Sequence, residues 1–201
     1  IAIQNAIKMQ KMGANIIDIG AESTRPGALP IKPEIEIKRL KPIILGLKNK
    51  KLNISIDTRN SSTMKFALDN GVKIINDVSA LNHDPESINV IKASKCLLVL
   101  MHMQGTPETM QNNPRYDDVC SEVLNFLSQR VKFAENAGID SKSIAIDPGI
   151  GFGKTLGHNL ELIARLDQLK VLNKHILLGA SRKSFIGDIL GLESEERLEG
   201  S

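Results

Sequence analysis

Leu68-Asp69-Asn70-Gly71-Val72-Lys73-Ile74-Ile75-Asn76-Asp77 joins a helix exit, a glycine and an apolar run that ends in polar residues. A glycine just past a helix supplies the left-handed residue that closes it at little steric cost. A short, nearly continuous Ile/Val run is the signature of a strand buried in a parallel sheet. The same plan occurs at Lys11-Met12-Gly13-Ala14-Asn15-Ile16-Ile17-Asp18-Ile19-Gly20. It returns at Glu135-Asn136-Ala137-Gly138, followed by Ser143-Ile144-Ala145-Ile146-Asp147-Pro148-Gly149. Composition predicts further strands at 53–58, 96–102 and 175–181. Helices are predicted between them. The stretch 33–50 opens on Glu34 and Glu36 and closes on lysines, as the helix dipole favours. Asp84-Pro85-Glu86 reads as a helix start, with Asp84 as cap and Pro85 at the first helical position. The stretch 116–137 carries an apolar stripe (Val119, Val123, Phe126, Leu127, Val131, Ala134) interrupted by Arg130, and 158–170 repeats the pattern with Leu160, Ile163, Ala164 and Leu166.

Strands alternating with helices mean a parallel sheet, either open and doubly wound or closed into a barrel. An open sheet needs polar chemistry only at its switch point, whereas a barrel gathers every strand end on one rim. Here every predicted strand ends in polar or glycine-rich residues: Asp18-Ile19-Gly20, Asp57-Thr58-Arg59, Asn76-Asp77, His102, Asp147-Pro148-Gly149 and Ser181-Arg182-Lys183. The expected fold is therefore α/β, a TIM-type (β/α)8 barrel forming a single domain over 1–201. A whole barrel takes about 250 residues. With six strands in 201 residues, the first and last strands are expected to be absent, leaving the domain truncated at both ends.

Composition narrows the function. A net charge of +3 from 26 basic and 23 acidic residues is too small for a polyanion-binding surface. Five Phe, one Tyr and no Trp leave little to stack on nucleic-acid bases. The longest apolar stretch, Leu97–Met101, is far short of the roughly 18 residues of a membrane span. Neither nucleic acid nor membrane is expected as a partner. The two cysteines, Cys96 and Cys120, point to a reducing, cytoplasmic setting. The histidines show no zinc-ligand spacing.

Four groups at separate strand ends carry the chemistry: Asp57, Asn76, Asp147 and Lys183. Two carboxylates, an amide and an ammonium on one rim suit a flat, hydrogen-bond-rich heterocycle. A carboxylate pairs with a ring N–H and an adjacent amino group through two parallel bonds. The amide offers donor and acceptor together, and Lys supplies donors to ring nitrogens or a carbonyl. Gly149-Ile150-Gly151-Phe152-Gly153-Lys154-Thr155 fits neither the phosphate-loop nor the dinucleotide spacing, and otherwise reads as a tight strand-to-helix turn. Glu22-Ser23-Thr24-Arg25-Pro26-Gly27 sets a cation and two hydroxyls on a stiffened loop. Ser181-Arg182-Lys183-Ser184 sets two cations where a helix begins, and both segments suit an anionic group. In Leu100-Met101-His102-Met103, the methionines read as packing residues and His102 as a satisfied strand-end histidine.

In family order along the chain, these segments resemble dihydropteroate synthase of the folate pathway. The match includes Asp18-Ile19-Gly20-Ala21-Glu22-Ser23-Thr24-Arg25-Pro26-Gly27, Ser55-Ile56-Asp57-Thr58 and Ile75-Asn76-Asp77-Val78. It continues through Leu100-Met101-His102-Met103-Gln104-Gly105-Thr106-Pro107, Asn113-Pro114-Arg115-Tyr116-Asp117-Asp118-Val119, Asp147-Pro148-Gly149-Ile150-Gly151-Phe152-Gly153-Lys154 and Ser181-Arg182-Lys183-Ser184-Phe185-Ile186-Gly187. Ala21 and Ile150 depart from the commoner glycine and phenylalanine, without touching a group that does chemistry. The resemblance implies condensation of 6-hydroxymethyl-7,8-dihydropterin pyrophosphate with 4-aminobenzoate, with Mg²⁺ as cofactor. It implies that Asp57, Asn76, Met101, Asp147, Gly179 and Lys183 hold the pterin. Thr24, Arg25, Pro26, Phe152 and Ser184 frame the aminobenzoate and pyrophosphate, where sulfonamides compete. The catalytic roles fall to Asp57, Asp147 and Lys183, the two carboxylates stabilising a pterin cation after pyrophosphate leaves. The resemblance places the metal's asparagine before Ile1 and a further Arg and His after Ser201. It allows a homodimer. A folate-dependent methyltransferase on a similar barrel would have no use for the two anion-suited segments. A non-catalytic pterin-binding domain would be expected to have lost Thr24, Arg25 and Ser184.

Overall fold

A computed structural model describes residues 1–198 and 200–201. It consists of α1 (Ala2–Lys11), β1 (Ile16–Gly20), α2 (Pro33–Leu47), β2 (Asn53–Asp57), α3 (Ser61–Asp69), β3 (Ile74–Asp77), α4 (Ser87–Ser94), β4 (Leu97–Met101), α5 (Val119–Asn136), β5 (Ile144–Asp147), α6 (Leu156–Ala164), β6 (His175–Ile176) and α7 (Ser184–Leu190). The strands form one parallel sheet in the order β1-β2-β3-β4-β5-β6. Each strand lies beside its sequence neighbour, so the order never reverses and there is no switch point of the doubly wound kind. This is the strand sequence of a TIM-type barrel.

Register divides the strand residues between two faces. One set, Ile17, Ile56, Ile75, Leu98, Leu100, Ile144 and Ile146, packs under the helices and is buried. Leu40, Ile44, Met64, Ile91, Val123, Leu127 and Leu162 of the helices meet it. The other set lies along the concave face, where Gly20 pairs with Asp57, Asp57 with Asn76, and Met101 with Asp147. The concave face is apolar toward its N-terminal end, with Ile74, Leu97, Val99 and Ala145, and becomes polar at the C-terminal strand ends.

Several element boundaries differ from expectation. The strand expected over 175–181 pairs only at His175 and Ile176, with Leu177 N–H adding one bond to Ile146 O. Among the described residues it has a ladder partner on one side alone, so aliphatic composition does not prolong it. The helix expected over 33–50 ends at Leu47, and its closing lysines lie beyond it. The helix expected over 158–170 is α6 followed by a 3₁₀ segment, Leu166–Leu172. A reciprocal cap between Thr155 and His158 fixes the start of α6. Asp84 does not cap its own helix, which starts at Ser87. Its carboxylate accepts from Glu86 N–H (3.0 Å) and, across the fold, from Ser61 N–H at the start of α3 (2.9 Å). Arg130, the anomaly in its stripe, donates to the carbonyls of Ala80 (2.7 Å) and Leu81 (3.2 Å), two consecutive left-handed residues after β3.

Candidate active site

The C-terminal ends of β2, β3 and β5 place Asp57, Asn76 and Asp147 on the concave face. Asn76 Nδ2 donates to Asp18 Oδ2 (3.1 Å), which turns the amide so that its buried Oδ1 has no donor among the described residues. A buried acceptor without a partner is costly, and a ligand N–H is what would relieve it. Asp147 Oδ1 accepts from Gly149 N–H (2.7 Å). Its Oδ2 faces Gly179, where a Cβ would lie 3.9 Å away. Gly20 likewise leaves open the space beside Asp57. Lys183 reaches in from the loop after β6 with its ammonium 4.3 Å from the centre of the Phe152 ring, a cation–π contact. Gly151 makes room for its stem, since a Cβ there would stand 3.3 Å from Lys183 Cδ.

These groups share one electrostatic environment. Burial, then the negative charges of Asp18, Asp77, Glu36 and Glu22, push the Asp57 carboxyl up to about 8. Burial raises Asp147 to about 6, opposed by the Gly149 N–H and by Lys183 and Lys154. Burial lowers Lys183, while Asp147 and Asp57 support its charge. Near neutral pH Asp57 is therefore largely protonated and Asp147 largely ionised.

The structure brings Asp57, Asn76, Met101, Asp147, Gly179, Lys183 and Phe152 together. Met101 is buried in register with Asp147. Ser184 is exposed at the first turn of α7. Thr24, Arg25 and Pro26 lie on the loop after β1, and no hydrogen bond among the described residues joins them to the cluster. That loop is clamped at its base, where Glu22 accepts from Arg59 Nε (2.8 Å) and Ile31 N–H (3.0 Å). Gly27 N–H donates to Pro107 O (2.9 Å), tying its tip to the loop after β4.

Sequence reasoning missed Asp18 as the orienter of Asn76, the buried Glu22–Arg59 pair, and Lys154. Lys154 is 3% exposed and its ammonium contacts His102 Nδ1 (2.9 Å). His102 is thereby satisfied, as expected of a strand-end histidine, and burial followed by Lys154 pushes it down to about 3. For Asp18 and Lys154 the signal was present: Asp18 precedes Gly20 by two, and Lys154 closes the glycine-rich loop. A cavity of about 460 Å³ lies at the opposite strand ends, lined by groups such as Ile16, Leu47, Ile74 and Leu97 and no acidic side chain, so volume alone does not mark the site.

Comparison with known proteins agrees with this geometry. The model of the pterin binding enzyme family matches residues 1–201. The dihydropteroate synthase of Escherichia coli (strain K12) is 40% identical over 201 residues, covering 100% of this chain and 71% of that protein. The Yersinia pestis dihydropteroate synthase, solved with a sulfonamide drug complex, superposes with a TM-score of 0.95 at 35% identity, over 98% of this chain and 72% of that one. The Xanthomonas albilineans dihydropteroate synthase, solved in complex with 7,8-dihydropteroate, gives 0.89 at 37% identity, over 98% and 72%. By sequence and fold alike, the chain belongs to the pterin-binding enzyme family, as one of the dihydropteroate synthases.

Proposed function

We propose that the protein condenses 6-hydroxymethyl-7,8-dihydropterin pyrophosphate with 4-aminobenzoate, giving dihydropteroate and pyrophosphate. The observation that carries this is the orphaned Oδ1 of Asn76, set among Asp57, Asp147 and Lys183 on one rim. A pterin presents the N–H and amino donors that Asn76 and the carboxylates lack, and a ring nitrogen and carbonyl for Lys183. Met101 lies in register with Asp147, and Gly179, lacking a side chain, leaves space beside its Oδ2 for a flat ring.

The bond between the pterin's exocyclic methylene carbon and the pyrophosphate oxygen breaks, and pyrophosphate leaves with the electron pair. The aminobenzoate nitrogen then bonds to that carbon and sheds a proton to solvent. Asp57 and Asp147 stabilise the positive charge that develops on the ring, a preorganised electrostatic role requiring no covalent nucleophile. Phe152, Thr24, Arg25, Pro26 and Ser184 frame the aminobenzoate and pyrophosphate, the place where a sulfonamide would compete.

Mg²⁺ belongs to the proposal through its affinity for hard phosphate oxygens. The described residues do not themselves form a fitting site. Their one cluster with metal-holding spacing is Asp118, Cys120 and Glu161, which includes a thiol and is bridged by Arg165. No step above runs through the metal. A reducing cytoplasmic setting is part of the same proposal, in keeping with two buried free cysteines. No helix among the described residues is long and apolar enough to cross a membrane.

The test is turnover: the protein mixed with the pterin pyrophosphate, 4-aminobenzoate and Mg²⁺ should form dihydropteroate by mass spectrometry. Calorimetry should show aminobenzoate binding only after pyrophosphate or its pterin ester is present. Pterin binding without any product would return the chain to a non-catalytic role.

A further inference from the structure

Lys154 has been given no part so far, yet its buried ammonium is fully engaged. Besides His102 Nδ1 (2.9 Å), it donates to Gly149 O (2.9 Å) and Phe152 O (2.9 Å), with His102 O at 3.5 Å. Three N–H bonds are thus directed at three groups, and the side chain is sealed from solvent. The loop it serves is rich in glycine. Gly149, Gly151 and Gly153 all adopt positive φ. Gly151 is held by Asn159 and Gln111, and Gly153 by the Tyr116 hydroxyl. Next to Asp147, Gly149 O accepts from Phe152 N–H (3.0 Å) as well as from Lys154, which alone among the described residues ties the Gly149 and Phe152 carbonyls to the His102 ring. Gly149 orients Asp147 through its N–H, and a Cβ there would overlap the His102 carbonyl. Phe152 supplies the ring under Lys183.

Resting on the dihydropteroate synthase function, we infer that Lys154 is a positioning residue: its ammonium braces the Gly149 and Phe152 carbonyls and His102 Nδ1 so that Asp147 and Lys183 face the pterin. It touches no substrate. It acts behind Asp147 through Gly149, and behind Lys183 through the Phe152 ring. His102 is held in the tautomer with Nδ1 free to accept, and its ring packs edge-on against Phe126 at 4.9 Å. Burying an ammonium is expensive, and the same cavity filled by methionine would fold without that cost. Burial accordingly pulls Lys154 down to about 7, with Asp147 supporting its charge. Positioning is what accounts for keeping an ionisable group there.

The test compares Lys154→Met with the wild-type protein. The KM for the pterin pyrophosphate should rise at least tenfold in folded variant protein, with restoration toward the wild-type value in Lys154→Arg. A merely structural lysine would lower the melting temperature and leave KM unchanged, and that result overturns the inference. Should Lys154→Met fail to fold, nitrogen-15 shifts of His102 in the wild-type protein decide. An unprotonated Nδ1 and a protonated Nε2 support the brace, and the opposite tautomer removes it. Absence of pterin binding by the wild type would reject the proposed function itself. Normal wild-type binding matched by the variant rejects only this inference.

Discussion

Asp57 is where the electrostatics of the mouth are concentrated, and its protonation has consequences for stability. Burial and four neighbouring carboxylates raise it from 3.8 to about 8. The folded chain therefore holds this proton more tightly than the unfolded chain. That contribution is fully present below about pH 4 and is lost as pH rises through about 8. Asp57→Asn cannot ionise, so its stability margin over wild type should widen with pH. The variant's melting temperature relative to wild type should rise by roughly 8 °C or more between pH 5 and pH 8.5, since three pH units are worth about 4 kcal/mol and ~1 kcal/mol is worth 2–4 °C for a chain of this size. Pterin affinity should fall at least tenfold in the same variant, the stability–function conflict common at binding sites. A margin that narrows as pH rises would contradict this account of Asp57.

At the scale of elements, Asp84 serves a neighbouring helix. It satisfies the N–H of Ser61, because Asn60 at the α3 N-cap makes no side-chain cap of its own. Asp84→Ala should lower stability by about 0.5–2 kcal/mol, the usual worth of an N-cap, measured by urea unfolding. Pterin affinity should be unchanged, and a large loss of affinity would mean that α3 positions the site. Elements also explain what could be read from the sequence. In a parallel sheet all strands end on the same rim, so Asp57, Asn76 and Asp147 converge whatever path the loops take. Lys183 is legible only as part of its motif, since β6 has paired off before the chain reaches it. The pairs Asp18–Asn76, His102–Lys154 and Glu22–Arg59 span 58, 52 and 37 positions. They arise from sheet curvature and loop paths, which no local spacing encodes. Asp84 shows the same limit: its local pattern is that of a cap, but which helix it caps is a tertiary matter.

Across the whole molecule, acidic groups from several units bear on one point. Asp18 from β1, Glu22 from the loop after it, Glu36 from α2 and Asp77 from β3 all act on Asp57 from β2. Glu22 is neutralised by Arg59, and Asp77 is held by the N–H groups of Ser79 and Leu81. The residual field favours a proton on Asp57 in the free protein, and it equally favours positive charge on a bound ring. A pterin that donates N–H bonds to this carboxylate stabilises its ionised form and so expels the proton. Binding at pH 7 should therefore release up to one proton. The apparent affinity should strengthen by as much as about tenfold per pH unit from pH 6 toward 8, levelling off above the free-state value. Calorimetry in buffers of different ionisation enthalpy counts the proton directly. Asp57→Asn should abolish the release while Asp147, at about 6, leaves only a weaker acidic limb. Proton uptake on binding, or a pH-independent affinity over this range, would mean that Asp57 meets its ligand as the neutral acid, donating a hydrogen bond where the present account has it accepting two.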